Sequence, residues 1–319
     1  MGDLISRTLP EAGMDKIFTE VKHHESLGLK NPEQLRLFHL NVSNNQFVLT
    51  GLEDFIENIV GEYVFSRAQM ERLTDPKAGI NPHSIGIKAL RVMKKNGAAD
   101  QKGTGNELGE IMLYAFLEGV LKAPKIFSKV ELTAVVTPFG RESDSVHLLS
   151  LGNIAGVECY QTVFGTSEIE GDIRDAIDRV FNDIERIEKE NGDIERIEKE
   201  NGKGIQLVAN QAFEESFDEK MAAQVKAAIV PAPGAPAVSD RAYGIFLGYS
   251  LGLDPHTRST IDFLRDLDRK MEADIKSQAG YIASKIKSKG LDTHSFYFYL
   301  IPFNDAAADK KSVMEYLLG

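Results

Sequence analysis

The chain has 319 residues, 42% hydrophobic and 27% charged, the balance of an ordinary globular protein with ample length for a core. No apolar run approaches the roughly 18 residues of a spanning helix and no charged-then-apolar signal opens the chain, so no membrane role is expected and the cytoplasm is the expected compartment. The single cysteine, Cys159, excludes an internal disulfide framework, and the net charge of −11 argues against nucleic-acid binding through bulk positive charge.

Residues 1–98 read as a mixed, mainly helical N-terminal region. Residues 35–48 are partly strand-like, and Leu52, Phe55, Ile56, Ile59, Val60, Tyr63 and Val64 recur at helical spacing within 52–70. Residues 75–81 form a turn, and 96–105, rich in Gly and Ala, a loop. A helix then runs from about Glu107 to about Leu121. Thr104 and Glu107 match a capping box, Asn106 is an alternative N-cap, and Gly109 allows a neighbour to approach closely. Residues 125–136, 145–151 and 155–164 have strand character. Residues 168–187 follow as an amphipathic helix with Ile169, Ile173, Ile177, Val180, Phe181 and Ile184 on its apolar face.

Residues 183–192 (DIERIEKENG) recur identically at 193–202, and each copy adds −2 to the charge. Glu185/Lys189 and Glu195/Lys199 have the favourable i,i+4 order of an exposed helix, and Gly192 would weaken that helix by about 1 kcal/mol relative to Ala. A tandem insertion forming a solvated helical extension is expected. Beyond it, 204–209 reads as strand, 214–228 as helix, 231–240 as a proline-rich connection, 243–249 as strand, 257–289 as helix and 295–303 as an aromatic strand. Alternating strands and helices predict one α/β domain over 99–319.

The chemistry-bearing pattern is acidic. Glu107 and Glu110 lie in the first turn of the predicted helix, Asp144 opens the second strand segment, and Glu158 sits on the third. Strand periodicity puts Glu158 and Tyr160 on one face, with Cys159 and Gln161 opposite. Two or three converging carboxylates would hold Mg²⁺ through oxygen ligands, and a nearby lysine would add positive charge. Tyr160 is neutral near pH 7 and cannot supply that charge. Lys129, on the preceding segment, is the nearest candidate, across an expected reach of about 9–10 Å. A shifted register with Thr166-Ser167-Glu168 in the motif slot would also lack a lysine. His147 reads as a core histidine rather than a ligand, and Lys276, Lys285, Lys287 and Lys289 as a solvated face. No Walker-type or GxGxxG loop occurs.

Residues 105–136, the Asp144-Ser145-Val146-His147-Leu148 stretch and the Val157-Glu158-Cys159-Tyr160 stretch resemble the HamA-type nucleases of bacterial Hachiman antiphage defence and the related AbpA-type proteins. The resemblance is specific over 105–160 and looser over 35–319. It implies an α/β, restriction-endonuclease-like PD-(D/E)XK core and a DNase dependent on Mg²⁺ (or Mn²⁺), working beside a superfamily-2 helicase subunit (HamB-like). By position it makes Glu110 or Glu107 the helical acid, Asp144 the central metal ligand and Glu158 the second strand acid, with Tyr160 in the lysine slot. The alternative is a non-enzymatic scaffold or regulator of the helicase with the same fold. Whether the chain is an enzyme stays open at this point.

Overall fold

The computed structural model describes residues 4–9, 13–95, 106–134, 140–154, 157–201, 213, 216–229 and 239–319. A short turn of helix, α1 (Met14–Ile17), leads into β1 (Phe18–Val21), β2 (Glu33–Leu40) and a small hairpin of β3 (Val42–Ser43) and β4 (Gln46–Phe47). Helices α2 (Leu49–Val64), α3 (Arg67–Thr74) and α4 (Ile85–Lys95) follow. Next come α5 (Glu107–Phe116), prolonged by a π-helical turn (Leu117–Leu121), then β5 (Lys125–Ser128), α6 (Lys129–Ala134), β6 (Ser145–Ile154) and β7 (Val157–Glu170). The chain continues through α7 (Ile173–Asn201), α8 (Glu219–Ile229), β8 (Ser239–Ser250), α9 (Thr260–Ser288), β9 (Ser295–Phe303) and α10 (Ala306–Leu318).

Seven strands form one mixed sheet in the order β1-β2-β9-β8-β7-β6-β5. The central four, β2, β9, β8 and β7, are parallel, whereas β1, β6 and β5 are joined antiparallel to their neighbours. Helices cover both faces, as a parallel sheet requires. All nine residues of β9 are buried, which is why it reads in sequence as a continuous aromatic and aliphatic run. Two of the strands, β1 and β2, come from before residue 98, so the sheet spans the boundary between the two expected regions. The mixed α/β class is as the alternation predicts.

On β7, residues 165, 167 and 169 face α5: Gly109 comes so close that a Cβ there would lie 3.0 Å from Ser167 Oγ. The opposite parity faces α7, where Thr166 Oγ1 donates to Asp183 Oδ2 at 3.1 Å. Phe116 fills the α5 side, with its ring 5.4 Å from Tyr299 and 6.0 Å from Phe246. Phe181 of α7 packs on Phe296 from the other side.

Several expectations are corrected. The 125–136 segment is strand only to Ser128, after which α6 begins; its apolar content serves burial rather than pairing. Strand β7 runs to Glu170 and α7 starts at Ile173, so Glu168 belongs to a strand and not to the amphipathic helix. Helix α7 continues through Gly192 to Asn201. The first decapeptide copy is no solvated extension: Ile184 and Ile187 are fully buried, and Glu188 accepts a hydrogen bond from the Tyr243 hydroxyl. Thr104, the 204–209 strand and the 231–238 prolines lie outside the described residues. Among the described residues, no helix is long and apolar enough to cross a membrane.

A buried polar knot joins the N-terminal segment to the sheet. The Glu118 carboxylate, fully buried in the π-helical turn, accepts from Thr8 N (2.6 Å), Leu9 N (2.5 Å), Lys125 N (2.6 Å) and Thr8 Oγ1 (2.9 Å). Lys125 Nζ donates to the carbonyls of Glu62, Tyr63 and Phe65 at the end of α2, the groups a helix C-terminus leaves unpaired, and pairs with Glu131 at 3.0 Å. Removing the carboxylate leaves these buried donors unmet. Glu118→Ala is expected to cost about 3–5 kcal/mol of unfolding free energy, read from the urea midpoint.

Candidate functional site

The candidate site forms where β6 begins, beside the stretch of β7 that continues past it. Residue 144 precedes the first paired residue of β6, and its N–H still reaches Gly165 O at 2.8 Å. Beyond this point β7 has no antiparallel neighbour. The Asp144 carboxylate takes the place of the missing strand: Oδ2 accepts from Ser167 N and from Ser167 Oγ, both at 2.8 Å. Two bonds from one residue fix the carboxylate against the sheet edge.

Lys129 stands on the other side of Asp144. Because β5 pairs directly with β6, with Ser128 opposite Ser145, the first residue of α6 lies beside the start of β6. Lys129 Nζ is 3.8 Å from Asp144 Oδ1 and donates to Ser143 O at 3.1 Å and Arg141 O at 3.4 Å. The expected long reach across a strand does not arise, since the lysine comes from a helix start and not from a strand.

Helix α5 brings the third group. Glu110 Oε2 accepts from the Tyr63 hydroxyl of α2 at 2.7 Å. Burial pushes the Glu110 carboxyl up to about 8, and the nearby Asp144 charge reinforces this, while the Tyr63 bond and Lys129 oppose it. Glu107, 3% exposed in the same turn, adds a smaller upward push. Asp144 is also raised by burial, against the pull of Lys129 and of the Ser167 bonds.

The opposite face of β7 carries two more acids. Glu168 is raised to about 7 by burial and by Asp183, and Asp183 is itself raised by burial. Asp144 contributes to both shifts, which places it in electrostatic reach of both faces. Arg179 pairs with Glu170 at 3.0 Å, and Arg186 bonds Asp183 and lies 3.7 Å from Glu142. Glu190 of α7 accepts from Arg141 N at 3.0 Å, tying the 140–144 loop to that helix.

The structure thus brings together Glu107, Glu110, Asp144 and Lys129. It does not bring Glu158 or Tyr160 there. Glu158 pairs with Asn153 and Tyr160 with Ser150, at the turn end of the β6–β7 hairpin. From residue 158 to residue 165, beside Asp144, is seven residues of strand, roughly 23 Å. Glu158 therefore cannot share a cation with Asp144, and Tyr160 does not fill a lysine slot of this site. The β7 acid in reach is Glu168, which the sequence offered only in a shifted register and otherwise placed in a helix, because Ile169 and Ile173 continue the helical spacing of α7. His147 is a core residue: fully buried, its Nδ1 meets Ala123 O at 2.8 Å, and burial lowers its pKa to about 3. Lys285 pairs with Asp178 at 2.8 Å and Lys289 with Glu185, so these lysines tie α9 to α7.

Among the described residues, no three His, Cys, Asp or Glu side chains converge as a ready metal-binding group. The Glu110–Asp144 pair nonetheless suits a divalent cation, because two partly buried carboxylates with raised pKa values gain from a neighbouring positive charge. Mg²⁺ commonly takes one or two protein carboxylates and fills its other positions with water and phosphate.

Comparison with known families places the chain: the HamA family model matches residues 15–317. The chain belongs to the HamA family. HamA is a component of Hachiman antiphage defence, which puts this chain in antiviral defence. Comparison with curated proteins and with solved structures gave no match.

The raised acids make stability depend on pH. A carboxyl whose pKa is higher folded than unfolded contributes stability that is complete below its unfolded value near 4.5 and is lost as pH rises through about 8. Without divalent cations, the melting temperature should fall between about pH 5 and about pH 9. Glu110→Gln should flatten that slope and melt above the unsubstituted chain at the alkaline end. Parallel pH profiles for the two proteins would show that Glu110 does not titrate in this window.

Proposed function

We propose that this HamA-family chain is a divalent-cation-dependent DNA nuclease with Glu110, Asp144 and Lys129 at its centre. The observation that carries the reading is the juxtaposition of Asp144 with the Lys129 ammonium at 3.8 Å, beside a helical carboxyl raised to about 8. A helical acid, an acid at a strand start and a lysine beside it are the groups of a restriction-endonuclease-like PD-(D/E)XK site, here with the lysine drawn from α6. Asp144 and Glu110 would hold Mg²⁺ or Mn²⁺, with Glu107 and Glu168 as neighbouring acids. The bound cation would acidify a water and screen charge on the phosphate. Lys129 would orient that water and offset charge at the phosphate oxygens, a contribution of the size seen for preorganised electrostatic groups. Tyr63 holds Glu110 in place through its hydroxyl, and Ser167 holds Asp144.

The net charge of −11 fits a division of labour in which a helicase partner supplies most of the DNA affinity. One observation favours a second reading, a catalytically silent scaffold for that helicase: Asp144 Oδ2 already has two donors, with Lys129 near Oδ1.

Degradation of plasmid and linear DNA with Mg²⁺ or Mn²⁺, in the presence of the helicase partner, separates the two. Asp144→Ala and Lys129→Ala should each lose at least about 100-fold in rate, while Glu158→Ala and Tyr160→Phe stay near the unsubstituted rate. Mg²⁺ should also raise the melting temperature of the unsubstituted chain at about pH 8, and not that of Asp144→Ala. Full activity in Asp144→Ala would sink the site assignment. No cleavage and no stabilisation by the cation would leave the scaffold.

A further inference from the structure

Helix α4 carries Lys88, Arg91, Lys94 and Lys95 and no acid in its 11 residues, in a chain whose net charge is −11. At about 100° per residue, the four cations and Ile87 fall within roughly 120° of the helix surface. Ile87, Arg91, Lys94 and Lys95 are exposed and Lys88 is half-buried. On the other side Ile85, Ala89 and Met93 are buried. There Gly61 of α2 has no Cβ to obstruct Ile85, and Gly86 lies close to Glu57 O. The helix is fixed by its apolar face, and its cationic face is turned outward.

Cations elsewhere on the surface are paired, Arg36 with Glu20, Lys285 with Asp178 and Lys289 with Glu185. Among the described residues, Lys88, Arg91 and Lys95 form no ion pair. Lys94 Nζ donates to Leu318 O at 3.0 Å and Gly319 O at 3.3 Å, which ties the end of the stripe to the end of α10. Eight residues back along α10, roughly 12 Å, lies Lys310. It is 8% exposed and donates to two neutral acceptors, Asn106 Oδ1 at 3.0 Å and Ile169 O at 2.8 Å. Asn106 precedes α5, whose first turn holds Glu107 and Glu110. Positive charge without a paired carboxylate therefore extends from α4 along α10 to the edge of the candidate site.

A partner for this face must carry closely spaced negative charge. The apolar side of α4 is already packed on α2, so the helix cannot lie in a lipid surface as an amphipathic anchor does. Protein interfaces are depleted of lysine and of charge at their core, and the large apolar side chain exposed on this face is Ile87 alone. A phosphate backbone fits better. Lys88 to Lys95 spans roughly 10 Å, the axial rise of about three phosphates of one DNA strand.

We propose that the outward face of α4 is where this chain holds the phosphate backbone of duplex DNA, through Lys88, Arg91, Lys94 and Lys95. This role rests on the reading of the chain as acting on DNA and does not depend on cleavage. The acidity of the rest of the chain repels DNA from other faces, so the stripe orients the duplex as well as holding it.

Fluorescence anisotropy with a short labelled duplex, in EDTA so that nothing is cut, tests this on the full chain across a salt series. Combined Lys88→Gln, Arg91→Gln and Lys95→Gln should weaken binding at least about tenfold at low salt. The slope of log K against log salt should fall by about 1 for each cation removed. This variant should melt near the unsubstituted chain, because none of the three side chains holds another residue. Combined Lys30→Gln, Lys220→Gln and Lys287→Gln, the same charge change on exposed lysines elsewhere, should bind as the unsubstituted chain does. Asp144→Ala should bind likewise, and binding through α4 with no cleavage under Mg²⁺ would sink the nuclease reading alone. No binding by the unsubstituted chain at low salt, or equal loss in the two triple variants, would overturn the proposal. So would unchanged DNA affinity in the α4 variant, and loss of the helicase partner in that case would give the face to an acidic protein.

Discussion

The candidate site depends on one mismatch of strand lengths. Strand β7 outruns β6, and the first backbone N–H beyond the overlap, that of Ser167, needs an acceptor at the sheet edge. Asp144 provides it from the residue that precedes β6. A side chain that completes a sheet edge is held as firmly as the sheet, and its second oxygen, beside Lys129, is aimed by backbone geometry. The same residue, Ser167, faces Gly109, whose lack of a Cβ lets α5 settle onto β7 and carry Glu110 to within electrostatic reach of Asp144. Strand edge, close helix approach and paired acids are therefore one construction.

Two sets of acids in this fold, one buried and one partly buried, are treated in opposite ways. Glu118 is surrounded by four donors from two segments, and Lys125 by three carbonyls and a carboxylate. Such saturation is how an interior accommodates charge for structural ends. Glu110 has one bond, from Tyr63, and Glu168 is raised by burial and a neighbouring acid. Polar groups left under-compensated inside an otherwise well-paired interior are where chemistry or binding is expected, because each costs stability that a ligand can restore. The contrast separates Glu118 from Glu110, although both project from the same continuous helix, α5 and its π-helical turn.

Much of the fold was legible from periodicity. The aromatic run of β9 coincides with its observed bounds, β8 contains the expected buried strand, and α5 begins at the acid-bearing turn with Gly109 in close contact as its position suggested. What could not be read was which end of a hairpin would meet which neighbour. Glu158 and Glu168 lie on one strand, and only the antiparallel register, with 144 beside 165, decides which of them Asp144 can reach. Glu168, raised only in a shifted register of the motif, was assigned to the amphipathic helix because the isoleucine spacing of α7 begins within β7. Lys129 was named as the nearest lysine but placed on a strand, because an apolar run with β-branched residues looks alike in a buried strand and a short buried helix. In each case the local pattern was real, and a tertiary pairing chose its meaning.

The position of Lys129 gives the site a dependence on α7 that no local pattern announces. Its ammonium is held by carbonyls of the 140–144 loop, that loop is bonded by Glu190, and Asp183 and Arg186 stand against Thr166 and Glu142. All three of these α7 residues fall within the first copy of the decapeptide. Identical residues in the second copy begin three helical turns further along, roughly 15 Å on at 1.5 Å per residue. The first copy therefore does work at the sheet edge because of where α7 leaves β7, not because of its own sequence. Moving α7 by one residue would rotate Asp183 and Glu190 by about 100°, away from Thr166 and Arg141. The loop that holds Lys129 and Asp144 would then lose its anchor, so the register of a surface helix sets the geometry of the buried acids.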